Sequence, residues 1–133
     1  MEIDHVAMAV KSMDAALATF KKIWDLEPDH VETGEADKIT EAMLPLGDAH
    51  LQLLEPTDET STVAKFLEKR GEGLHHVAIR VPDIEAAMER LKANGAELID
   101  QEWRIGGGGH KVAFVHPKTS NGLLIELVER TDG

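Results

Sequence analysis

The chain is written twice, and that duplication limits the folds open to it more than any other feature. Asp4-His5-Val6-Ala7-Met8-Ala9-Val10 recurs as His75-His76-Val77-Ala78-Ile79-Arg80-Val81, 71 positions later. The match runs on without a gap, Met13-Asp14-Ala15-Ala16-Leu17 against Ile84-Glu85-Ala86-Ala87-Met88. The ends agree as well, Leu51-Gln52-Leu53-Leu54-Glu55 resembling Ile125-Glu126-Leu127-Val128-Glu129. Self-similarity at a fixed spacing means one supersecondary unit used twice. With 133 residues and a hydrophobic share of 42%, the two copies suffice for the core of one domain.

Each copy carries the same order of signals. A strand, about Ile3–Val10 or Leu74–Val81, leads into a helix. In the first helix Met13, Leu17, Phe20 and Trp24 fall on one apolar face, with Ser12 as N-cap. In the second Ile84, Ala87, Met88 and Leu91 repeat the pattern, Asp83 caps it and Asn94-Gly95 stops it. Three strands follow each helix, near Glu27–Thr33, Lys38–Leu46 and Ala49–Glu55, then near Ala96–Trp103, Lys111–His116 and Gly122–Glu129. Gly47-Asp48 and Asn121-Gly122 read as hairpin turns, the second of type I′. Between the copies, Thr57–Gly73 holds a short helix around Thr62–Arg70 with Gly71 as its stop. The expectation is an α+β fold of two tandem βαβββ modules in a single domain spanning 1–133: module one about 1–56, linker helix about 57–73, module two about 74–129.

Formal net charge is −11 with acidic residues spread along the chain, a field that disfavours nucleic acid and anionic membrane surfaces as partners. The absence of cysteine removes disulfides, thiolate metal sites and cysteine nucleophiles. The chain opens on MEIDHVAMAV with no basic leader, and it contains no apolar run of about 18 residues, so a cytoplasmic protein is expected.

Side chains alternate across a strand, so parity separates its faces. Val6, Met8 and Val10 share the face that the helix should cover, and His5, Ala7 and Ala9 lie opposite. In the repeat Val77, Ile79 and Val81 face the helix, and His76, Ala78 and Arg80 lie opposite. In the closing strands Gln52 stands opposite Leu51 and Leu53, and Glu126 stands opposite Ile125 and Leu127. One copy therefore offers His5 and Gln52, the other His76 and Glu126. Singly, each has a plain explanation: a strand histidine usually finds a backbone partner, and Gln52 could be a solvated strand residue. Glu126 is less easily dismissed, because an isolated carboxylate is costly to bury in an apolar run. Four such residues at repeat-equivalent positions form a candidate metal site. Imidazole and oxygen donors without thiolate suit Co²⁺, Mn²⁺, Ni²⁺, Zn²⁺ or Fe²⁺.

At these residues the chain resembles the vicinal-oxygen-chelate, or glyoxalase, superfamily, and within it the methylmalonyl-CoA epimerases. The resemblance spans nearly all of Ile3–Glu129. It rests on Ile3-Asp4-His5-Val6-Ala7, Leu53-Leu54-Glu55-Pro56, Val63-Ala64-Lys65-Phe66-Leu67, Gly71-Glu72-Gly73-Leu74-His75-His76-Val77-Ala78, Val115-His116-Pro117-Lys118 and Leu124-Ile125-Glu126-Leu127. The Gly71–His76 run is the most specific of these; the first segment is shared by the wider superfamily. The resemblance implies a cup-shaped mixed sheet, a homodimer, one divalent metal per subunit (cobalt first, with manganese, nickel or zinc as alternatives) on His5, Gln52, His76 and Glu126, and interconversion of (2R)- and (2S)-methylmalonyl-CoA in propionyl-CoA metabolism. Glu41, in Thr40-Glu41-Ala42-Met43-Leu44, matches the segment that carries a catalytic glutamate in bacterial members. Gly106–Gly109 departs from the family's Gly-Ala-His-Gly loop and reads as a hairpin tip.

The chemistry implied is removal of an acidic α-proton and its return to the other face, with Glu41 and Glu126 as the two bases and the metal stabilising the enolate. Glu126 carries a tension, since binding a cation lowers basicity. Lys65, Lys69, Arg70, Arg104, Lys111 and Lys118 are candidates to meet the phosphates of an acyl-CoA substrate. Trp24 and Trp103 read as core or dimer contacts rather than stacking platforms. Two other readings remain open: a glyoxalase I-type lyase acting on a glutathione hemithioacetal, and a metal-free binding protein of the same fold. An extradiol dioxygenase fits less well, given a fourth ligand and a short chain.

Overall fold

The computed structural model describes residues 1–132. Its elements run β1 (Glu2–Ala9), α1 (Met13–Trp24), β2 (His30–Gly34), β3 (Ile39–Leu46), β4 (Ala49–Pro56), α2 (Thr62–Arg70), β5 (Gly73–Arg80), α3 (Ile84–Ala93), β6 (Arg104–Ile105), β7 (Lys111–Val115) and β8 (Ile125–Glu129). The chain divides into two compact units, His5–His75 and Met1–Asp4 with the residues from His76 onward. Each is a βαβββ unit. The strand order is β2-β3-β4-β1 in the first and β5-β8-β7-β6 in the second. In each, the opening strand pairs in parallel with the closing one, and the strand before pairs antiparallel. Among the described residues no helix is long and apolar enough to cross a membrane.

The first unit buries Val10, Met13, Ala42, Leu44 and Leu53 against Leu17 and Phe20 of α1. On another face Ala7, Ala9 and Leu54 pack with Val63 and, more loosely, Phe66 of α2. The second unit repeats the first arrangement with Ile84, Met88, Ala113, Val115 and Leu127, joined by Ile79. Burial of this apolar surface is the main stabilising contribution in both.

The repeated glutamate at the end of each closing strand has a repeated job. Glu55 Oε2 accepts from the Met13 backbone N–H at 2.8 Å, and Glu129 Oε1 accepts from that of Ile84 at 2.9 Å. Ser12 and Asp83 accept from Ala15 and Ala86 N–H. Helices α1 and α3 thus each have two unpaired first-turn donors satisfied, one by the N-cap and one by the strand on which the helix packs. These carboxylates also favour the positive end of the helix dipole.

The structure corrects four expectations. Trp24 is not on a covered face: it is 67% exposed, beside Ile23 at 68%. Helix α1 ends on Asp25 in a left-handed conformation (φ 54°), and Leu26, donating to Phe20 O at 3.1 Å, folds back to join the core instead. Strand β2 begins at His30, after Pro28, rather than at Glu27. The stretch 96–103 is not a strand; only Leu98 bridges to Val115, and the edge strand is Arg104–Ile105. Asn121-Gly122 is not a two-residue hairpin. Both have positive φ, but they close a 3₁₀ turn over Pro117–Ser120, whose Pro117 O accepts from Gly122 N–H at 2.8 Å. Positive φ was legible there; the turn that needed it was a different one. Gly47, at φ 64°, does sit in the tight turn between β3 and β4, where Leu46 pairs with Ala49.

Candidate active site

In the first unit, strand register builds the site row by row. Glu32 pairs with Glu41, Glu41 with Leu54 and Leu54 with Ala9. In the next row His30 pairs with Met43, Met43 with Gln52 and Gln52 with Ala7. In the third, Pro45 pairs with His50 and His50 with His5. Registered partners share a face, so His5, Glu41 and Gln52 lie on one surface of this unit, and all three are buried.

Glu41 and Gln52 are joined by a short hydrogen bond in which Gln52 Nε2 donates to Glu41 Oε2. A carboxylate can only accept, so this contact fixes which end of the amide faces Glu41. Gln52 Oε1 is therefore the outer end. It is buried and accepts from no described group. A buried carbonyl oxygen without a donor is costly, and a cation would remove that cost. This is the local observation that favours a metal.

Burial lifts the Glu41 carboxyl above the ordinary carboxylate range. The Gln52 hydrogen bond opposes the shift, whereas a hydrogen bond and charge repulsion from Glu32 add to it. An acid pushed upward in this way is closer to the basicity a proton-abstracting group needs near neutrality.

The second unit repeats the geometry with other side chains. Ala78 pairs with Glu126 as Ala7 pairs with Gln52, and Phe114 pairs with Glu126 as Met43 pairs with Gln52. His76 Nε2 stands 3.3 Å from Glu126 Oε1, both side chains being largely buried (5% and 11% exposed). The His76 ring meets Phe114 edge-on at 5.2 Å between centroids, which fixes the imidazole plane. Each unit thus carries one histidine, and beside it one side-chain oxygen donor at the same register.

Residues 4–114 match the model of the Glyoxalase/Bleomycin resistance protein/Dioxygenase superfamily. The chain belongs to this superfamily. It is 38% identical over 127 residues to the ethylmalonyl-CoA/methylmalonyl-CoA epimerase of Cereibacter sphaeroides, covering 94% of this chain and 95% of that one. Among solved structures it resembles the methylmalonyl-CoA epimerase from Mycobacterium tuberculosis, with a TM-score of 0.92 and 39% identity over 98% of this chain and 88% of that one. It also resembles a methylmalonyl-CoA epimerase in complex with methylmalonyl-CoA and NH₄⁺, with a TM-score of 0.94 and 36% identity over 98% and 95% of the two chains. The two βαβββ modules expected from the repeat, and the glyoxalase-type fold implied by the resemblance, are therefore those of this superfamily member.

Two further side-chain clusters went unread in the sequence. Asp4, next to His5, is buried and paired with two guanidinium groups, Arg80 Nη2 at 3.0 Å and Arg130 Nε at 3.2 Å. Nothing local in the sequence signals a contact across 76 positions. His110 is the second. Its Nε2 stands 2.9 Å from Arg130 and its Nδ1 3.2 Å from Thr131 N, while Thr131 Oγ1 donates to Gly109 O at 2.9 Å. The Gly106–Gly109 tip is thus tied to the chain beyond β8. A Cβ at Gly106 would also stand 2.8 Å from Val112 Cγ2, so a side chain there would force a shift.

Of the basic residues considered for CoA, Lys111 lies over the Trp103 ring at 4.6 Å and pairs with Glu129 at 3.6 Å, and Arg70 lies over Phe66 at 5.9 Å. Trp103 packs against the core, and its indole donates to Glu85 at 2.9 Å.

Proposed function

We propose that this chain is a methylmalonyl-CoA epimerase, interconverting the (2R) and (2S) forms by moving the α-proton. The observation that carries the reading is the buried Glu41–Gln52 pair, set in a chain similar along nearly its whole length to epimerases. A lyase acting on a glutathione adduct has no comparable support.

His5, Gln52, His76 and Glu126 would hold one divalent ion, cobalt being the first choice and manganese, nickel or zinc the alternatives. The donors fit: two imidazoles, one carboxylate, and an amide oxygen whose orientation Glu41 already fixes. When bound, such an ion supplies Lewis-acid stabilisation of the negative charge that develops on the substrate oxygens.

Glu41 takes the proton from C2, which lies between a thioester carbonyl and a carboxylate and is acidic for that reason. Burial raises its conjugate acid toward the range where transfer in both directions is practicable. Glu126 serves the opposite face. Gln52 acts twice, as a metal ligand through Oε1 and through Nε2 as the donor that keeps Glu41 aimed. The reading carries with it a homodimer, an acyl-CoA substrate and a cytoplasmic place in propionyl-CoA metabolism.

The test is isotope exchange. Cobalt-loaded protein incubated with (2S)-methylmalonyl-CoA in heavy water should yield α-deuterated material and the other epimer. Failure of both in protein with one bound metal per chain would reject the reading.

A further inference from the structure

Beyond the site just described, His30, Glu32 and Glu41 offer one nitrogen and two carboxylate oxygens that all lie within 4.8 Å of one another. We propose that these three residues form a second, regulatory site for a borderline divalent cation such as Zn²⁺, and that occupancy there silences Glu41. The regulatory half of this inference rests on Glu41 being a base of the proposed epimerase; the binding half does not.

The site follows from strand geometry. His30 and Glu32 alternate along β2 and so share a face, and Glu32 stands opposite Glu41 in the antiparallel ladder. Two like charges directly opposed on neighbouring strands destabilise a sheet unless something lies between them. A proton can do this, and so can a metal. The His30 ring stands 3.4 Å from Glu32, completing a His-Glu-Glu set. An imidazole with two carboxylates selects zinc-like ions over magnesium or calcium, which prefer all-oxygen shells.

Access and consequence differ across the set. His30 and Glu32 have side chains 45% and 42% exposed, so an ion can arrive from solvent, while Glu41 is only 9% exposed at the inner end. Glu41 also receives the Gln52 hydrogen bond. A cation held by its carboxylate would occupy the lone pairs that otherwise take a proton. Excess metal would therefore inhibit through a ligand set distinct from His5, Gln52, His76 and Glu126, sharing none of them.

Zinc titrated into the chelator-stripped full chain, against a chromophoric chelator, should show two bound equivalents in wild type and one in the His30→Ala/Glu32→Gln double variant. The single His30→Asn variant, which keeps a polar exposed side chain, should weaken the second equivalent by at least about tenfold. Equal stoichiometry and affinity in wild type and double variant would overturn the site. In the cobalt-loaded protein, added zinc should slow α-deuteration of methylmalonyl-CoA in wild type and leave the double variant's rate unaltered. Equal inhibition of both would overturn the regulatory role. A cobalt-loaded protein that never deuterates the substrate, yet still binds the second zinc, would instead reject the epimerase reading and leave the site standing.

Discussion

The two modules keep one register and fill it differently. Ala7 opposite Gln52 becomes Ala78 opposite Glu126, and Met43 beside Gln52 becomes Phe114 beside Glu126. One step outward, Glu41 opposite Glu32 is replaced by Val112 opposite Arg104. The first module therefore carries an amide at the inner position and a carboxylate one step out. The second carries the carboxylate at the inner position and an aliphatic side chain one step out. Duplication preserved where side chains go, because register is set by backbone pairing and by the apolar face each strand must bury. It left their chemistry free to diverge. Had each module kept carboxylates at both positions, four buried acids would have gathered on the two equivalent surfaces, and the cost of desolvating them would have grown with each. Sharing them out leaves one acid per module at these positions, both proposed to move the proton and Glu126 proposed to bind metal as well.

That division can be broken most severely at Glu126. Glu126→Gln removes the only carboxylate of the proposed ligand set. Metal content after purification should fall well below one per chain, and α-deuteration should drop by more than the roughly 10²–10⁴-fold that loss of an acid–base group alone produces. Full metal occupancy in this variant would remove Glu126 from the ligands. Glu41→Gln comes next and separates the two roles. Exchange should fall by about 10²–10⁴-fold, while bound metal stays at the wild-type level, because a glutamine oxygen at this place can still accept from Gln52 Nε2. If metal were lost together with activity, Glu41 would be holding the ligand set rather than moving a proton.

Making the inner positions alike is a gentler test. Gln52→Glu takes a donor away from Glu41 and sets a second carboxylate against it. The metal-stripped variant should lose about 1–3 kcal/mol at neutral pH, the usual cost of leaving a buried polar group poorly satisfied, and cobalt should restore most of the difference. Thermal melts with and without metal decide it. Identical melting temperatures for both metal-stripped proteins would mean that the Glu41–Gln52 contact carries no weight.

Much of this architecture was legible because its signals are local. Ser12, Asp83 and Gly71 mark helix ends through their own backbone chemistry, and the placements at Met13, Ile84 and Arg70 follow from them. Strand parity likewise put His5 and Gln52, and His76 and Glu126, on the surfaces where the structure places them. What escaped depends on partners distant in the chain. Glu55 and Glu129 were visible as repeated letters, but their targets are backbone donors 42 and 45 residues away. The region 96–103 looked like a strand by analogy with the first module, yet the edge strand of the second module shrinks to Arg104–Ile105. The Glu41–Gln52 bond was within reach of counting. With Gly47-Asp48 as a two-residue turn, Met43 must stand opposite Gln52, and Glu41 is its neighbour on the same face.

The smallest expected effect concerns pH and uses the metal-stripped protein. Burial raises the Glu41 carboxyl in the folded chain, so over the interval from the ordinary carboxylate value, about 4.3, up to the raised one, the unfolded chain binds fewer protons than the folded one. Stability from this group is complete below the unfolded value and is lost as pH rises toward the folded one. Glutamine cannot ionise and escapes the loss. The melting temperature of Glu41→Gln should therefore be close to wild type in acid, rise above it as pH climbs through that interval, and keep a constant lead beyond it. The equivalent outer position in the second module, Val112, has no group to titrate. A lead already complete below pH about 4 would mean that it does not come from Glu41 ionisation, and a wild type that gains on the variant with rising pH would mean that the Gln52 hydrogen bond holds the Glu41 charge more favourably than water does.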